Sequence, residues 1–187
     1  MSRVGVLALQ GGFAPHVQAL RELGHDVAEV RSAAELSNLD GLVLPGGEST
    51  THLRLIARHD LKQPLLEFAR SGRPMLCTCA GLILAAREVR SPAQESFGWI
   101  DVAVERNAWG RQLHSFEGRS DDGALPLIFI RAPRIVEVGP RARVLATLSG
   151  EPILVRQDNV TGATFHPELT TDRRIHQEIF GGTLPKR

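Results

Sequence analysis

The chain has 187 residues, 42% of them hydrophobic and 23% charged, which is enough to bury a core and fold as one domain. Its 22 Lys and Arg residues nearly balance its 21 Asp and Glu residues, leaving a formal net charge of +1. Such a balance lacks the basic excess of a phosphate-tracking surface, so nucleic acid is not an expected partner. We place no domain boundary and expect one globular domain over residues 1–187.

The apolar runs and the cysteines indicate the compartment. The longest apolar runs, 4–9 and 82–86, are far shorter than the roughly 20 residues needed to span a bilayer, and the N-terminus has no convincing signal-peptide core. The cysteines, Cys77 and Cys79, are poorly spaced for a disulfide and too few for a structural zinc site. We therefore expect a cytoplasmic protein with no membrane or metal partner and a thiol free for chemistry.

In chain order, the first half alternates strand-like and helix-like segments. The first helix-like segment places Phe13, Val17, Leu20 and Leu23 at helical spacing and ends at Gly24. The alternation is typical of βαβ units around a parallel sheet. The other elements predicted for this half are strands at 4–9, 27–30, 41–44 and 74–78, and helices beginning near Thr50 and spanning 61–70 and 80–88.

The second half changes to strand-like runs, some of which we expect to be antiparallel. A final helix is predicted with Asp172 as its N-cap and with Ile175, Ile179 and Phe180 on one face, where it would cover the sheet. The polar, aperiodic span 107–123 is predicted to be a long surface loop. The predicted strands are 101–105, 127–131, 135–138, 144–148, 153–156 and 161–165.

The strongest local signal is Cys77-Thr78-Cys79-Ala80-Gly81, where a strand ends, one residue turns sharply and a helix begins. This pattern resembles a nucleophile elbow, which needs small residues on either side of the turn. A helix N-terminus at Cys79 favours its thiolate, and the Ala80 N–H is placed to meet a developing oxyanion. The alternative is a buried structural cysteine, the common fate of this residue type.

The second signal is Phe165-His166-Pro167-Glu168, which follows a strand-like run. Residues two apart in an extended segment project to the same side, so Glu168 can hold one ring nitrogen of His166 while the other faces the thiol. The alternative is a surface histidine beside a charged residue. The other histidines are interpreted as surface or loop residues, namely His16, His25, His52, His59, His114 and His176.

The third signal is Pro45-Gly46-Gly47-Glu48-Ser49-Thr50, which follows a predicted strand. Ligands bind at the carboxyl ends of strands in open α/β sheets, and paired glycines let the backbone approach them. The segment lacks the Lys of a phosphate loop, and Gln10-Gly11-Gly12 lacks the third glycine of a dinucleotide fingerprint, so no cofactor is expected. A turn with a helix cap is the alternative.

Taken together, these segments resemble the class I glutamine amidotransferases, and specifically the family of glutaminase subunits of pyridoxal 5′-phosphate synthase. The resemblance covers nearly the whole chain, and it implies a flavodoxin-like α/β fold with an open, mixed, mostly parallel sheet flanked by helices. One departure is Cys77, where the family usually has Gly. The motifs are Leu7-Ala8-Leu9-Gln10-Gly11, Leu44-Pro45-Gly46-Gly47-Glu48-Ser49-Thr50-Thr51, Thr78-Cys79-Ala80-Gly81-Leu82, Val104-Glu105-Arg106-Asn107, Phe129-Ile130-Arg131-Ala132-Pro133 and Phe165-His166-Pro167-Glu168-Leu169.

The resemblance implies hydrolysis of L-glutamine to glutamate and ammonia. The ammonia would pass to a synthase subunit, in a hetero-oligomeric complex, that makes pyridoxal 5′-phosphate from ribose 5-phosphate and glyceraldehyde 3-phosphate. Cys79 would be the nucleophile, His166 the base and Glu168 its orienting carboxylate, with backbone donors at Gly47 and Ala80 forming the oxyanion hole. The residues implied to line the glutamine site are Gly47, Glu48, Ser49, Arg106, Ile130 and Arg131.

Two alternatives remain at this point. The same thiol chemistry would serve a glutaminase of another synthase, such as imidazole glycerol phosphate synthase. A non-catalytic flavodoxin-like module with a reactive cysteine is an alternative of a different class, against which the set of Cys79, His166 and Glu168 argues. The glycine-rich loops at Gly46-Gly47 and Gln10-Gly11-Gly12 have the backbone freedom for a docked partner to select a productive arrangement.

Overall fold

The computed structural model, which describes residues 1–106 and 115–182, is built around one large mixed sheet. Five of its strands, in the order β12-β4-β3-β1-β2, run parallel to one another, and β11 and β10 continue the sheet in antiparallel fashion. The strands of this sheet are β1 (Arg3–Leu7), β2 (Asp26–Val30), β3 (Gly41–Leu44), β4 (Met75–Thr78), β10 (Arg143–Leu148), β11 (Glu151–Gln157) and β12 (Val160–Ala163).

The remaining strands form two smaller sheets within the described ranges. In the first, β5 (Ala86–Arg90) pairs in parallel with β6 (Ile100–Glu105), which pairs antiparallel with β9 (Arg134–Val138). The second is a ribbon of β7 (Ser115–Arg119) and β8 (Pro126–Ile130). The helices are α1 (Phe13–Glu22), α2 (Ser49–Arg58), α3 (Lys62–Arg70), α4 (Ala80–Ala85) and α5 (Arg174–Phe180), with 3-10 turns at Ala33–Leu36 and Pro167–Leu169.

Two apolar clusters fill the space between the sheet and its covering elements. One contains Leu42, Phe68 and Met75 and extends to the small sheet of β5, β6 and β9. The other contains Leu20, Phe129 and Phe165 and packs α1 and α5 against the central strands. The expected α/β fold, mixed and mostly parallel with flanking helices, is confirmed. No helix in the described part of the chain has the length and apolarity needed to cross a membrane.

Several element predictions need correction. The helix expected over 80–88 ends at Ala85, and the chain continues as strand β5, because residues 86–90 pair with β6. The loop predicted over 107–123 contains strand β7 at Ser115–Arg119, which pairs with β8; residues 107–114 lie outside the described residues. The final helix begins at Arg174 rather than just after Asp172, although Asp172 Oδ1 accepts the Arg174 N–H over 2.9 Å.

The surface interpretation of the histidines is also wrong for several of them. His16 and His176 have no exposed surface, and His52 is 1% exposed, all three within helices. His25 is a loop residue as predicted, although it is buried. His59 is exposed as predicted, and His114 lies outside the described residues. His16 occupies the buried face of α1 beside Val17 and Leu20, so its burial follows from helical spacing that the sequence already displays.

Candidate active site

Cys79 lies at a sharp turn between β4 and α4. Its backbone has φ +48°, a left-handed conformation that is uncommon for a residue with a side chain, and its N–H donates to the Ala163 carbonyl over 2.8 Å. Gly81 makes the turn possible, since a Cβ there would lie 2.1 Å from the Leu44 carbonyl oxygen. The strained turn thus presents the Cys79 side chain at the carboxyl end of the parallel strands, as the elbow pattern predicts.

His166 and Glu168 follow strand β12 on the neighbouring connection. The His166 N–H donates to the Ile128 carbonyl over 2.8 Å, which fixes the backbone, and His166 Nδ1 lies 2.7 Å from Glu168 Oε1. Both side chains are buried. The second ring nitrogen remains for the Cys79 side chain, and the interaction with Cys79 contributes to the raised pKa of His166. The three side chains therefore form a continuous chain from thiol to imidazole to carboxylate.

The electrostatics of this chain favour a charged imidazole. Burial by itself lowers the pKa of His166, but hydrogen bonds and negative charge from Cys79 and Glu168 outweigh burial and raise the pKa to about 10. Burial raises the pKa of Glu168, whereas interactions with His16 and His166 lower it, and the lowering dominates. An ionised carboxylate and an imidazolium beside a thiol are the arrangement that activates a cysteine nucleophile.

Gly46 packs directly on the chain. A Cβ at this position would meet His166 Cε1 at 2.5 Å and Cys79 Cβ at 3.4 Å. The backbone of the Gly46-Gly47 loop therefore lies against both His166 and Cys79, closer than any side chain would allow. This close approach explains why the loop requires glycine there.

A cavity of about 400 Å³ opens beside Cys79, within the range of small-molecule sites. Nine residues that the resemblance assigned to catalysis or to the glutamine site line this cavity. Ala80 is not among the lining residues; its N–H is the first of α4 and has no acceptor within that helix. The predicted residues in the lining are Gly47, Glu48, Ser49, Cys79, Arg106, Ile130, Arg131, His166 and Glu168.

Glu48 has two structural roles at the rim of the cavity, as a helix cap and as the partner of Arg106. Its carboxylate caps helix α2 by accepting the N–H groups of Thr50 and Thr51, at 3.2 and 2.7 Å. Burial raises the pKa of Glu48, but hydrogen bonds from these two threonines prevail and lower it to about 2. Arg106 Nη2 donates to Glu48 Oε1 over 3.0 Å. The capping alternative is therefore part of the structure, and the same carboxylate still faces the cavity.

The remaining polar lining residues differ in their partners. Ser49 Oγ donates to Gln94 Oε1 over 2.8 Å. Arg131 is exposed, has φ +44°, and makes no ion pair with any residue of the described ranges. The cavity thus offers one paired guanidinium, Arg106, and one unpaired guanidinium, Arg131, to an anionic group. A carboxylate is a suitable ligand for either of them.

Sequence reasoning missed part of the site. Gly12, Gly46, Ile83 and Leu169 also line the cavity. Gly46 and Leu169 lie within the quoted motifs without an assigned role, Gly12 directly follows a motif, and Ile83 lies one helical turn beyond Cys79. Cys77, by contrast, is fully buried in the core, and burial raises its pKa well above the usual range, so it does not compete as a nucleophile.

Comparisons with known proteins agree with this geometry. The model of the SNO glutamine amidotransferase family matches residues 6–181. A pyridoxal 5′-phosphate synthase subunit PdxT from Deinococcus radiodurans is 49% identical over 187 residues, which covers 95% of each chain. A PdxT from Solibacter usitatus is 48% identical over 186 residues, which covers 94% of this chain and 96% of that protein.

Solved structures give the same result at the level of the fold. A crystal structure of a glutamine amidotransferase superposes with a TM-score of 0.88 and 42% identity, covering 94% of this chain and 96% of that one. PurLQS from Thermotoga maritima superposes with a TM-score of 0.71 at 16% identity, covering 96% of this chain and 98% of that one. At that identity the second likeness concerns the fold alone.

Proposed function

Since the chain belongs to the SNO glutamine amidotransferase family, we propose that it is the glutaminase subunit of a pyridoxal 5′-phosphate synthase. It hydrolyses L-glutamine to L-glutamate and ammonia and delivers the ammonia to the synthase subunit in a hetero-oligomeric complex. The observation that carries the chemistry is the buried series of Cys79, His166 and Glu168 at the wall of the cavity, in which His166 is hydrogen-bonded to Glu168. The PdxT relatives support the identity of the synthase.

The chemistry begins at Cys79. His166, held by Glu168, carries as an imidazolium the proton that the thiol has given up, and the thiolate attacks the side-chain carbonyl of glutamine. The N–H groups of Gly47 and Ala80 stabilise the resulting oxyanion. The imidazolium then gives its proton to the leaving nitrogen, so that ammonia departs and a γ-glutamyl thioester remains. Water, deprotonated by His166, hydrolyses the thioester to glutamate and restores the thiol.

The polar rim of the cavity selects the substrate. Glutamine carries an α-carboxylate and an α-ammonium, which need partners of opposite charge. Arg106 and Arg131 suit the carboxylate, and Glu48 suits the ammonium. Ile130, which is 39% exposed, and the Gly47-Glu48-Ser49 loop complete the walls.

Docking of the synthase subunit is proposed to gate the reaction through the loop at Gly47. Gln10 Nε2 donates to the Glu48 carbonyl over 3.0 Å, and its Oε1 lies 3.5 Å from the Glu48 N–H. Gln10 therefore holds the two peptides on the C-terminal side of Gly47, next to the peptide whose N–H is the proposed oxyanion donor. Ammonia is mostly protonated in neutral water and then is a poor nucleophile, so transfer inside a complex keeps it reactive.

The test mixes the purified chain with the synthase subunit of its own pyridoxal 5′-phosphate synthase and measures glutamate release. We expect activity that rises when this subunit is added and that does not rise with an imidazole glycerol phosphate synthase subunit. The Gln10→Ala variant should respond less to the correct subunit. Glutaminase activity that is the same with and without every partner contradicts the gating. Absence of glutamate release with every partner favours a non-catalytic module.

A further inference from the structure

A second histidine lies behind the proposed catalytic chain. His16, on helix α1, places Nε2 at 3.2 Å from Glu168 Oε2, on the oxygen opposite to the one that His166 holds. The same nitrogen lies 3.1 Å from Thr78 Oγ1, the residue before the nucleophile. The side chains of His16 and Glu168 are 0% and 1% exposed. His16 therefore stands between the strand that presents Cys79 and the carboxylate that holds the base.

The distances select one tautomer of His16. An unprotonated Nε2 would direct its lone pair at a carboxylate oxygen 3.2 Å away, and the two would repel each other. A protonated Nε2 is attracted to that oxygen instead. Burial lowers the pKa of His16 more than the charge of Glu168 raises it, so the ring is neutral and carries one proton. That proton is placed on Nε2, where Thr78 Oγ1 accepts it and Glu168 Oε2 is close enough to share it.

His176, on helix α5, supports the same assignment. Its Nε2 lies 2.9 Å from His16 Nδ1, which accepts a proton if Nε2 of His16 carries its own. His176 Nε2–H is then the donor, and His176 Nδ1 is left bare. That atom is indeed buried without a hydrogen-bond partner among the described residues, and a bare imine nitrogen tolerates this better than an N–H does. The His176 N–H thus points to His16, and the His16 N–H points to Thr78 Oγ1, with Glu168 Oε2 only 3.2 Å from the same nitrogen.

We propose that His16 is a positioning residue of the glutaminase reaction, fixing the Glu168 carboxylate against His166 from its far side through the buried His176–His16–Glu168 chain. The proposal rests on the proposed function, in which Glu168 orients the base. Glu168 Oε2 has no fully aligned hydrogen bond within the described ranges. Without His16 this oxygen would face an apolar gap, where its charge is costly.

The consequence for pH dependence follows from the groups around Glu168. His166 and His16 face its two oxygens, and Arg173, at the start of α5, adds positive charge near His16 and His176. Loss of His16 removes the Nε2–H dipole of the neutral ring from beside Glu168 Oε2, so Glu168 takes up a proton at a higher pH. The acid limb of the activity profile should then move to higher pH.

The experiment compares His16→Leu, which removes the donor, with His16→Gln, whose amide nitrogen can take the place of Nε2. With the synthase subunit present, His16→Leu should lower kcat by about tenfold to a hundredfold, the effect of leaving one buried charged oxygen without a polar neighbour, with an unchanged KM for glutamine. His16→Gln should recover most of kcat. His25→Gln is the matched control, because His25 is also buried but bonds the Gly181 carbonyl away from the cavity.

Two measurements separate positioning from a purely structural role. In a Glu168→Gln background, His16→Leu should cause little further loss of kcat, because its effect passes through the carboxylate. NMR titration of the His166 ring should show its pKa falling by about one unit in His16→Leu and not in His16→Gln. The titration needs no turnover, so it tests His16 even if the chain proves not to be a glutaminase.

The proposal is overturned if His16→Leu keeps wild-type kcat, acid limb and His166 titration. It is equally overturned if His16→Gln loses as much activity as His16→Leu, or if the losses from His16→Leu and Glu168→Gln simply multiply. If His16→Leu fails to fold, His16→Met, a more adaptable apolar side chain, takes its place. If only the His16→Gln variant folds, a strongly reduced kcat in that variant is enough to contradict the proposal.

Discussion

Arg106 Nη2 donates to Glu48 Oε1 over 3.0 Å, joining the end of β6 to the first turn of α2 at the rim of the cavity. The Arg106 side chain is only 15% exposed, so its guanidinium is held in place. Both residues are proposed to bind glutamine. Arg106 would bind its α-carboxylate, and Glu48 would bind its α-ammonium. The ion pair would therefore preorganise the proposed recognition site.

Replacing Arg106 tests this assignment. Arg106→Ala should raise the KM for glutamine by about tenfold or more, the effect of a lost charge-assisted hydrogen bond, with a small change in kcat. Arg106→Lys should recover little, since Lys does not match a carboxylate bidentately. Steady-state kinetics with the synthase subunit measure both effects. An unchanged glutamine dependence would return Arg106 to the role of a structural partner of Glu48.

Glu48 should also affect stability, because it caps α2. Glu48→Ala should lower the free energy of unfolding by about 1 kcal/mol, as losses of helix caps do, whereas Glu29→Ala, which breaks the exposed Arg31 pair, should change it less. The pKa of Glu48 is lowered to about 2. Its stabilising contribution is therefore present above its ordinary pKa and is lost as the pH falls toward 2. Urea unfolding of both variants measures the difference.

The two cysteines should behave differently. Cys79→Ala should abolish glutamate release, because no other thiol reaches the cavity from the described residues. Cys77→Ala should remain active and lose only modest stability, since Cys77 is a buried core side chain with a raised pKa. A glutamine-analogue electrophile followed by peptide mass spectrometry should label Cys79. Labelling at Cys77 would reverse the assignment.

His166 and Glu168 should make unequal contributions. His166→Ala removes the base and should cause the larger loss of kcat, whereas Glu168→Gln leaves a hydrogen-bonding side chain. Glutaminase assays of both variants with the synthase subunit measure the ratio. Near wild-type activity of His166→Ala would refute the triad.

The same pair predicts how stability depends on pH. The pKa of His166 rises on folding, so its contribution is complete below the unfolded value near 6.5 and disappears as the pH rises toward about 10. The pKa of Glu168 falls on folding, so its contribution is present above its ordinary pKa and is lost in acid. Chemical denaturation of the wild type and of His166→Ala across this range should show the difference shrinking toward pH 10. A constant difference would contradict the charged pairing.

The parts of the site that the sequence predicts are those that local rules determine. The turn at Cys79 and the spacing of His166 and Glu168 follow from strand ends and from the alternation of side chains in an extended segment. The fold class follows from the alternating elements of the first half. These features need no knowledge of which distant segments meet.

The parts that the sequence does not predict depend on long-range packing. The buried role of His16 requires α1 and α5 to lie on the same side of β4, which is decided by the order of strands in the sheet. Strands β5 and β7 exist because partners from elsewhere in the chain pair with them, not because their own residues are strongly strand-forming. Local propensity alone predicts that the preceding helix continues into β5 and that a loop replaces β7.

Strand β12, which leads into the His166 segment, pairs with β4 although it comes much later in the sequence. Cys79 is consequently synthesised well before its base and carboxylate, and His176 meets His16 across 160 positions. Such contacts are the slow ones to form during folding. On this arrangement, a ribosome-bound fragment that ends before residue 166 holds Cys79 without its proposed base. The proposed ammonia release would then begin only when translation and folding have brought the two segments together.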